Sequence, residues 1–441
     1  MKKRLTLFLF ALFCSFIAFA QAPVWSAMGT GLNNYSNAMA FYNGELYAGG
    51  VFNAADGNSA TNIAKWNGSS WSAVGSGVNN YVYAMVVYHH QLYVAGQFTN
   101  AGGLPARRIA RWNGVSWDTV GHGINGLAVY SMTVHNDKLY VGGKFGQAGY
   151  TTVSNIAVWN DTSWSAVGNG FASFWGSTEV DALQSFQGEL YAGGWFQIAG
   201  TDSTCSNIAK WNGSSWMHVG DGVDGKVLSL CASGTKLYLG GAFSYTTNNY
   251  PAKHFASWNG SVIQSVGGGV NNTVYAITPY GSNVYLGGRF TQVGNSPAGH
   301  IASWDGSTFS ALGNGTDTTV RAIAADDGIV YASGDFVHAS SVTVNYIGKF
   351  SETGVGMAEA FSAPDISVYP NPSNGIFRFL FGEVSGTKTI EISDATGRLV
   401  RTIQTSDQKT EIDLSGEAKG IYFCRIFSQE QLIGTKKILL N

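Results

Sequence analysis

Charge is scarce in this sequence of 441 residues. Lys, Arg, Asp and Glu together make up 12% of the chain, about half the usual share, and the formal net charge is −2. A nucleic-acid-binding protein carries a basic face, which so few cations do not supply, so we predict no nucleic-acid partner. Long apolar runs are also absent after residue 20, and the sequence predicts no transmembrane segment beyond that point.

Cysteine is rare as well. After Cys14 the chain has Cys205, Cys231 and Cys424, an odd number at irregular spacing. Such spacing indicates neither a disulfide framework nor a metal site, and it favours three small, partly buried thiols over a Cys205–Cys231 bridge. No pair of ligands close in sequence suggests zinc and no Asp-rich loop suggests calcium, so we predict no metal and no cofactor.

Glycine and aromatic residues are abundant instead. The chain has 58 Gly, its aromatic share is 13%, and its apolar share is 45%. The apolar share excludes disorder as the main state, and much Gly with many aromatics and few charges favours an all-β protein with many turns. The length suggests two or three domains.

The first twenty residues read as a secretory signal peptide. Lys2, Lys3 and Arg4 precede a short apolar run, and Ala18-Phe19-Ala20 places small residues before a cleavage site at Gln21. A transmembrane anchor is the alternative interpretation, which the shortness of the apolar run disfavours.

The last part of the chain differs in composition. Residues 351–364 are rich in Gly, Ala and Ser and read as a linker, and from residue 365 onwards charge becomes frequent and Trp disappears. Alternating segments such as Thr389–Ser393, separated by turns, predict a small Ig-like β-sandwich of about seven strands over 365–441.

Ten residues of this segment form its motifs: Tyr369, Pro370, Asn371, Pro372, Gly397, Arg398, Gly420, Tyr422, Lys436 and Lys437. In their order and spacing these motifs resemble the type A C-terminal sorting domain of the Bacteroidetes type IX secretion system. The resemblance implies passage through the periplasm, recognition by the type IX machinery, and export across the outer membrane for release or attachment at the cell surface.

Seven repeats fill residues 21–350. One element, Ile63-Ala64-Lys65-Trp66-Asn67-Gly68, recurs with Trp at 66, 112, 159, 211, 258 and 304 and with Phe350 as the seventh anchor. Each repeat has about 45 residues and reads as four short strands, the signature of a β-propeller. In the second repeat we predict strands over Tyr81–Tyr88, Leu92–Thr99, Arg108–Trp112 and Trp117–Gly121, with a loop over Asn100–Arg107.

The two ends of the array predict how the ring closes. The last repeat lacks a fourth strand, whereas Val24–Gly29 is a fourth strand without a repeat, so we expect it to complete the seventh blade. Paired glycines such as Gly142-Gly143 predict close backbone approach near the ring axis. The Gly-Gly doublets and downstream Trp over 24–350 are similar to those of kelch-type propellers, which implies the fold alone.

Repeated tryptophans most simply pack between blades, with sugar platforms as the alternative. The crossing loop Asn169–Glu179 is different, because it is five residues longer than its equivalents. Phe174, Trp175 and Trp195 fall outside the repeat pattern, and they either bind a ligand or fold down as a plug. Tyr81 and Tyr250 are expected on the same face.

Catalytic signals are weak. Glu179 and Asp181 form a candidate carboxylate pair for acid–base chemistry. The leading hypothesis is a secreted or surface propeller that binds glycan or protein ligands. The alternatives are a polysaccharide hydrolase or lyase and a structural surface protein.

Overall fold

The computed structural model describes residues 24–174, 176–351, 366–381, 386–394, 398–428 and 431–441, with the side chains of 431–435 left aside. The predicted signal peptide, Trp175, Gly397 and nearly all of the predicted linker therefore lie outside the described residues. Every regular element in the described part of the chain is a β-strand. The chain divides into two compact units, one before and one after residue 354.

Seven antiparallel sheets follow one another along the first unit, and each has four principal strands. In order, sheet 1 has strands Ser36–Tyr42, Glu45–Gly50, Ile63–Trp66 and Trp71–Ala73; sheet 2 has Val82–Tyr88, Gln91–Gly96, Ile109–Trp112 and Trp117–Thr119; sheet 3 has Ile124–His135, Lys138–Ala148, Ile156–Trp159 and Trp164–Ala166, with Thr151–Thr152 added; sheet 4 has Glu179–Phe186, Glu189–Trp195, Ile208–Trp211 and Trp216–His218. Sheet 5 has Lys226–Ser233, Lys236–Ala242, Phe255–Trp258 and Ile263–Ser265; sheet 6 has Val274–Tyr280, Asn283–Gly288, Ile301–Trp304 and Phe309–Ala311; sheet 7 has Val320–Asp326, Ile329–Gly334, Ile347–Ser351 and Val24–Ala27.

Short two-residue strands pair within the loops of these sheets. They are Ala54–Ala55 with Asn58–Ser59, Asn100–Ala101 with Leu104–Pro105, Phe171–Ala172 with Ile198–Ala199, Gln292–Val293 with Ser296–Pro297, and His338–Ala339 with Val342–Thr343. The predicted loop Asn100–Arg107 is therefore partly a tight hairpin. The principal strands of sheet 2 are also up to three residues shorter at their ends than predicted, because backbone pairing stops where these loops begin.

The first strand of each sheet contacts the first strand of the next, and that of sheet 7 contacts that of sheet 1. The sheets thus form a closed ring with their first strands innermost. The predicted pairing of the N-terminal strand is confirmed, since Val24–Ala27 pairs antiparallel with Ile347–Ser351 and places Trp25 opposite Phe350. A single sheet therefore joins the two ends of the repeat array.

The repeated tryptophans fill the interfaces between sheets. Ten of the eleven are buried, and Trp211 is half-buried. Five sheets have Trp as the first residue of the fourth strand or, in sheet 7, as the second. The indole Nε1–H of each donates to a backbone carbonyl that follows the fourth strand of the preceding sheet, at 2.9 to 3.4 Å. In sheets 5 and 6 the equivalent residues are Ile263 and Phe309, which have no such donor. The indole thus contributes packing and a hydrogen bond between neighbouring sheets, and the packing role is confirmed.

The second unit consists of two sheets around one core. A three-stranded sheet has Ile366–Tyr369, Ile376–Phe381 and Lys409–Asp413, and a four-stranded sheet has Lys388–Asp394, Leu399–Thr405, Gly420–Ser428 and Gln431–Leu440. Apolar side chains from both sheets, including Phe377, Phe379 and Ile390, form that core. Cys205, Cys231 and Cys424 are free and buried, so no Cys205–Cys231 bridge is formed.

Candidate functional site

A β-bulge interrupts the first strand of every sheet in the ring. In every first strand, pairing with the second strand skips one residue. The skipped residue directly follows the one that pairs with the second glycine of the Gly-Gly doublet or its equivalent; in sheet 3 it lies mid-strand, after two earlier register shifts. A bulge leaves its extra residue unpaired and turns that side chain out of the regular alternation. The skipped residues are Asn37, Tyr83, Tyr130, Asp181, Leu228, Tyr275 and Arg321, which we call the bulge ring.

A glycine on the second strand makes each bulge sterically possible. At this position all seven sheets have Gly, and a Cβ built there would lie 1.9 to 2.4 Å from backbone of the first strand, for example 2.1 Å from the Glu179 carbonyl oxygen at Gly194. No larger residue fits at such a distance. The predicted close backbone approach at the glycine doublets is therefore confirmed, and its consequence is the bulge.

The bulge ring surrounds a cavity of about 230 Å³ at the axis of the ring of sheets. Six of its seven residues line this cavity, together with small side chains that follow them and with apolar ones such as Met39, Met85 and Leu183 further along the strands. The site is thus a funnel in which each sheet contributes one side chain of independent chemistry.

One side of the funnel is aromatic. The rings of Tyr83 and Tyr130 lie 5.4 Å apart, and Tyr81 stands edge-on to Tyr83 at 6.4 Å. Burial raises the pKa of Tyr83 and, with help from nearby carboxylates, raises the pKa of Tyr130 to about 12, so both phenols keep their protons. These rings offer apolar faces with hydroxyl groups at their edges.

Another part of the funnel is aromatic and cationic. The guanidinium of Arg321 lies 4.3 Å from the centre of the Tyr35 ring and 5.9 Å from that of Tyr275. Arg321 also donates from Nε and Nη2 to the two carboxylate oxygens of Asp335, at 2.7 and 3.0 Å. This pairing neutralises the cation and fixes its plane over the Tyr35 ring.

An acidic pair with one lysine completes the funnel. Lys226 Nζ lies 2.7 Å from Glu179 Oε1 and 3.1 Å from Asp181 Oδ1, so one ammonium group bridges both carboxylates. The Asp181 side chain is only 10% exposed. Burial, opposed by Lys226 and reinforced by Glu179, raises the pKa of Asp181 to about 7. The carboxyl group therefore changes protonation state close to neutral pH.

Two polar atoms of the funnel are unsatisfied. Asp181 Oδ2 and Ser131 Oγ are buried and have no hydrogen-bond partner among the described residues, and both residues line the cavity. A buried polar atom without a partner is costly, and a ligand or ordered water that supplies a hydrogen bond removes that cost.

The predicted ligand-binding residues separate into two groups. Tyr81, at 39% exposed, borders the bulge ring, and Trp195 is half-buried directly opposite Glu179 in the sheet. Phe174 and Tyr250 are 64% and 66% exposed on loops of different sheets, and the structure describes no contact between them. Trp175 lies outside the described residues.

The crossing loop itself divides in the same way. Phe171 is buried and its ring packs 4.4 Å from that of Phe196, so this end of the loop folds down onto sheet 4, whereas Phe174 points to solvent. The two ideas of a plug and an exposed aromatic surface thus apply to different residues of one loop.

Sequence reasoning identified Glu179, Asp181 and Tyr81 but missed most of the funnel. Missed residues are Asn37, Tyr83, Tyr130, Lys226, Leu228, Tyr275 and Arg321. One feature of the sequence could have identified the bulge ring. In each repeat a single variable residue stands between a repeated Val, which is Ser36 in sheet 1, and a repeated Ala or Ser. Variation inside an otherwise regular repeat indicates a residue that packing does not determine.

The sorting-motif residues lie in the second unit, apart from Gly397, which is outside the described residues. Asn371 donates from Nδ2 to the Lys437 carbonyl at 2.8 Å and accepts from the Leu439 amide at 2.8 Å. Arg398 pairs with Asp394 at 3.0 Å, and Tyr422 is buried in the core with its hydroxyl bonded to the Ala418 carbonyl. Asn371 thus ties the Tyr369-Pro370-Asn371-Pro372 segment to the last strand. Gly420 begins the strand that pairs with this last strand, which contains Lys436 and Lys437.

Residues 367–441 match the family model described as "Secretion system C-terminal sorting domain". The sorting-domain resemblance is thereby confirmed, and a type IX sorting tail implies export to the cell surface or secretion by that system. The chain is therefore an exported all-β protein. No curated protein matches it. Within the part of the chain that the structure describes, no helix is long and apolar enough to cross a bilayer.

Solved structures with weak overall similarity include PorZ of Porphyromonas gingivalis, described as an essential bacterial surface component of the type-IX secretion system. It is 16% identical with a TM-score of 0.45, and the match covers 92% of this chain and 59% of that one, so this chain spans about three fifths of its length. The β-propeller domain of the Trilobed protease from Pyrococcus furiosus is 10% identical with a TM-score of 0.42, covering 70% of this chain and 93% of that one.

Proposed function

We propose that the first unit is a seven-bladed, kelch-like β-propeller that binds a glycan in its central funnel, and that the Ig-like sorting domain directs its export through the periplasm. The observation that carries the proposal is the bulge ring, which brings three tyrosines, two charged residues and a cavity to one place. Aromatic faces stack on the C–H faces of sugars, while hydroxyl and charged groups bond to sugar hydroxyls. A protein ligand on the exposed loops is the outcome to expect if no glycan binds.

The first test is retention of the full chain on a panel of insoluble polysaccharides and its titration with soluble ones. Replacing Tyr83 by Ala removes the ring between Tyr81 and Tyr130, and loss of stacking worth about 0.5–1.5 kcal/mol predicts a roughly 3- to 10-fold weaker affinity. Tyr150→Ala is the matched control, because Tyr150 is exposed and outside the funnel.

The same panel separates the funnel from the crossing loop. Phe174→Ala and Trp175→Ala are expected to leave affinity within about twofold if the funnel is the site. If they abolish retention while Tyr83→Ala does not, the ligand binds at the loop. Binding by no member of the panel would refute the glycan proposal.

A second candidate function is hydrolysis of an extracellular polysaccharide, and the Asp181 carboxyl favours it. Lys226 Nζ contacts both carboxylates, so their nearest oxygens are less than about 6 Å apart, which suits a retaining glycosidase. With a pKa near 7, Asp181 can donate its proton to the departing glycosidic oxygen while Glu179 attacks the anomeric carbon and forms a glycosyl ester. Water that gives its proton back to Asp181 then adds to the anomeric carbon and releases Glu179. Release of reducing ends by the full chain, lost in both Asp181→Asn and Glu179→Gln, would support an enzyme. Retention without any release supports the binding module.

A further inference from the structure

The unsatisfied Asp181 carboxylate oxygen indicates what kind of group the funnel takes. Lys226 occupies one oxygen of Asp181 and one of Glu179, which leaves Asp181 Oδ2 buried without a partner among the described residues, in a side chain that lines the cavity. An ionised carboxylate is an acceptor only, so its best partner is a donor, and a charged donor makes the stronger hydrogen bond.

The charge balance of the funnel points in the same direction. The bulge ring and its direct ion pairs contain three carboxylates, from Glu179, Asp181 and Asp335, against two cations, from Lys226 and Arg321. When Asp181 is ionised, one negative charge is therefore uncompensated, and it lies at the most buried of the three carboxylates. A neutral sugar would leave it uncompensated, whereas an ammonium group would neutralise it.

The aromatic neighbours are also suited to a cation. Tyr130 is near enough to the Glu179 and Asp181 carboxylates for their charges to help raise its pKa, and the Tyr83 ring lies beside it at 5.4 Å. The negative face of a phenol ring attracts an ammonium group, as the Arg321 guanidinium over Tyr35 already illustrates within this funnel.

We infer that the funnel binds an amino sugar, with the ligand's ammonium group drawn to the Asp181 carboxylate in the cavity wall and the Tyr83 ring beside it. The inference rests on the proposed glycan-binding function and specifies its ligand class. The Ser131 hydroxyl, which is also unsatisfied, provides a second hydrogen-bonding position in the same cavity.

The amino-sugar inference is tested by calorimetric titration of the full chain with three tetrasaccharides that share the same β-1,4-linked backbone. They are the tetramers of glucosamine, of N-acetylglucosamine and of glucose. They differ at C2, where they have an ammonium, an acetamide or a hydroxyl group. The glucosamine tetramer is expected to bind about tenfold more tightly than the glucose tetramer, as a charge-assisted hydrogen bond predicts.

Asp181→Asn keeps the shape of the side chain and removes its charge, so it is expected to abolish the tenfold preference for the glucosamine tetramer over the glucose tetramer, both titrated against the same variant. Asp137→Asn is the matched control, because it removes an exposed carboxylate from a turn at the opposite end of sheet 3. Melting curves of both variants establish that they are folded.

The outcomes separate this inference from the proposed function. Equal binding of the three tetramers, or an equal loss in Asp137→Asn, would overturn the amino-sugar inference and leave glycan binding in place. Binding of none of them, together with no binding across the polysaccharide panel, would overturn both.

Discussion

Removal of the Trp25 side chain is the sharpest test of how the ring is closed. Trp25 is 4% exposed, its ring lies 5.4 Å from that of Phe350, and its Nε1–H donates to the Leu312 carbonyl at 2.9 Å. It therefore joins the N-terminal strand both to its own sheet and to the preceding one. Truncation to Ala creates a cavity and removes one of the two donors to the Leu312 carbonyl, which keeps the Gly315 amide at 3.0 Å. We expect a loss of about 3–5 kcal/mol, chiefly from the cavity.

The number of residues in the first unit determines how far this loss of unfolding free energy lowers Tm. An unfolding entropy of about 2.1 cal/mol/K per residue over roughly 330 residues gives about 0.7 kcal/mol/K, so Trp25→Ala is expected to lower Tm by about 4–7 °C. Scanning calorimetry of the full chain measures this shift. Val24→Ala is the matched control on the same strand, because Val24 is 45% exposed and its truncation is expected to shift Tm by less than 1 °C. A Tm for Trp25→Ala as high as that of the control would refute closure by this strand.

Two further predictions concern the funnel. Gly194→Ala would place a Cβ 2.1 Å from the Glu179 carbonyl oxygen, so we expect at least about 2 kcal/mol of destabilisation and weaker glycan binding. Gly193→Ala is expected to cost less, because its Cβ meets a Val227 methyl group and sheet 2 has Ala95 at the same position. Equal melting curves for the two variants would contradict this expectation. The pKa of Asp181 is raised from 3.8 to about 7 in the folded state, so the folded protein holds a proton that the unfolded chain releases, and stability falls as pH rises through that interval. The free energy of unfolding of Asp181→Asn is therefore expected to match that of the wild type below about pH 4 and to exceed it by about 2–4 kcal/mol at pH 8. Denaturant titration at each pH measures the difference. A difference that stays constant across pH would count against a buried, titrating carboxyl group.

The ring of sheets was predictable because its cause is repetitive. Each sheet needs a large side chain for the interface, a tight turn and a glycine for close approach, and these needs recur about every 46 residues as Trp, Asn-Gly and Gly-Gly. The last repeat lacks a fourth strand, and Val24–Gly29 belongs to no other repeat, so only one pairing was possible for it. The structure has that pairing, between Val24–Ala27 and Ile347–Ser351. The sorting domain was recognisable from motif order, although its seven strands are marked by weaker alternation.

The funnel was predictable only in part, because no repeat encodes it. Glu179 and Asp181 stood out since acidic residues are rare, but nothing in one sequence links them to Lys226, which lies 47 residues further along the chain. Arg321 and Tyr35 meet across the closure of the ring, where sequence separation gives no indication of contact. Local pattern predicts strands and turns, whereas the site depends on side chains that only the closed ring brings together.

The seven bulges have a consequence for how such a protein can change. At each bulge the backbone requirement is met by a glycine on the neighbouring strand, so the skipped residue itself takes no part in strand pairing. Here those seven positions have five different types of side chain, an amide, a carboxylate, a phenol, leucine and a guanidinium, on a frame that is otherwise nearly the same in every repeat. Substitution at one position alters one segment of the funnel's inner surface without disturbing the hydrogen bonds of the sheet. Under the proposed function, ligand preference can therefore change through exchange of these seven residues while the strand pairing of the frame stays the same.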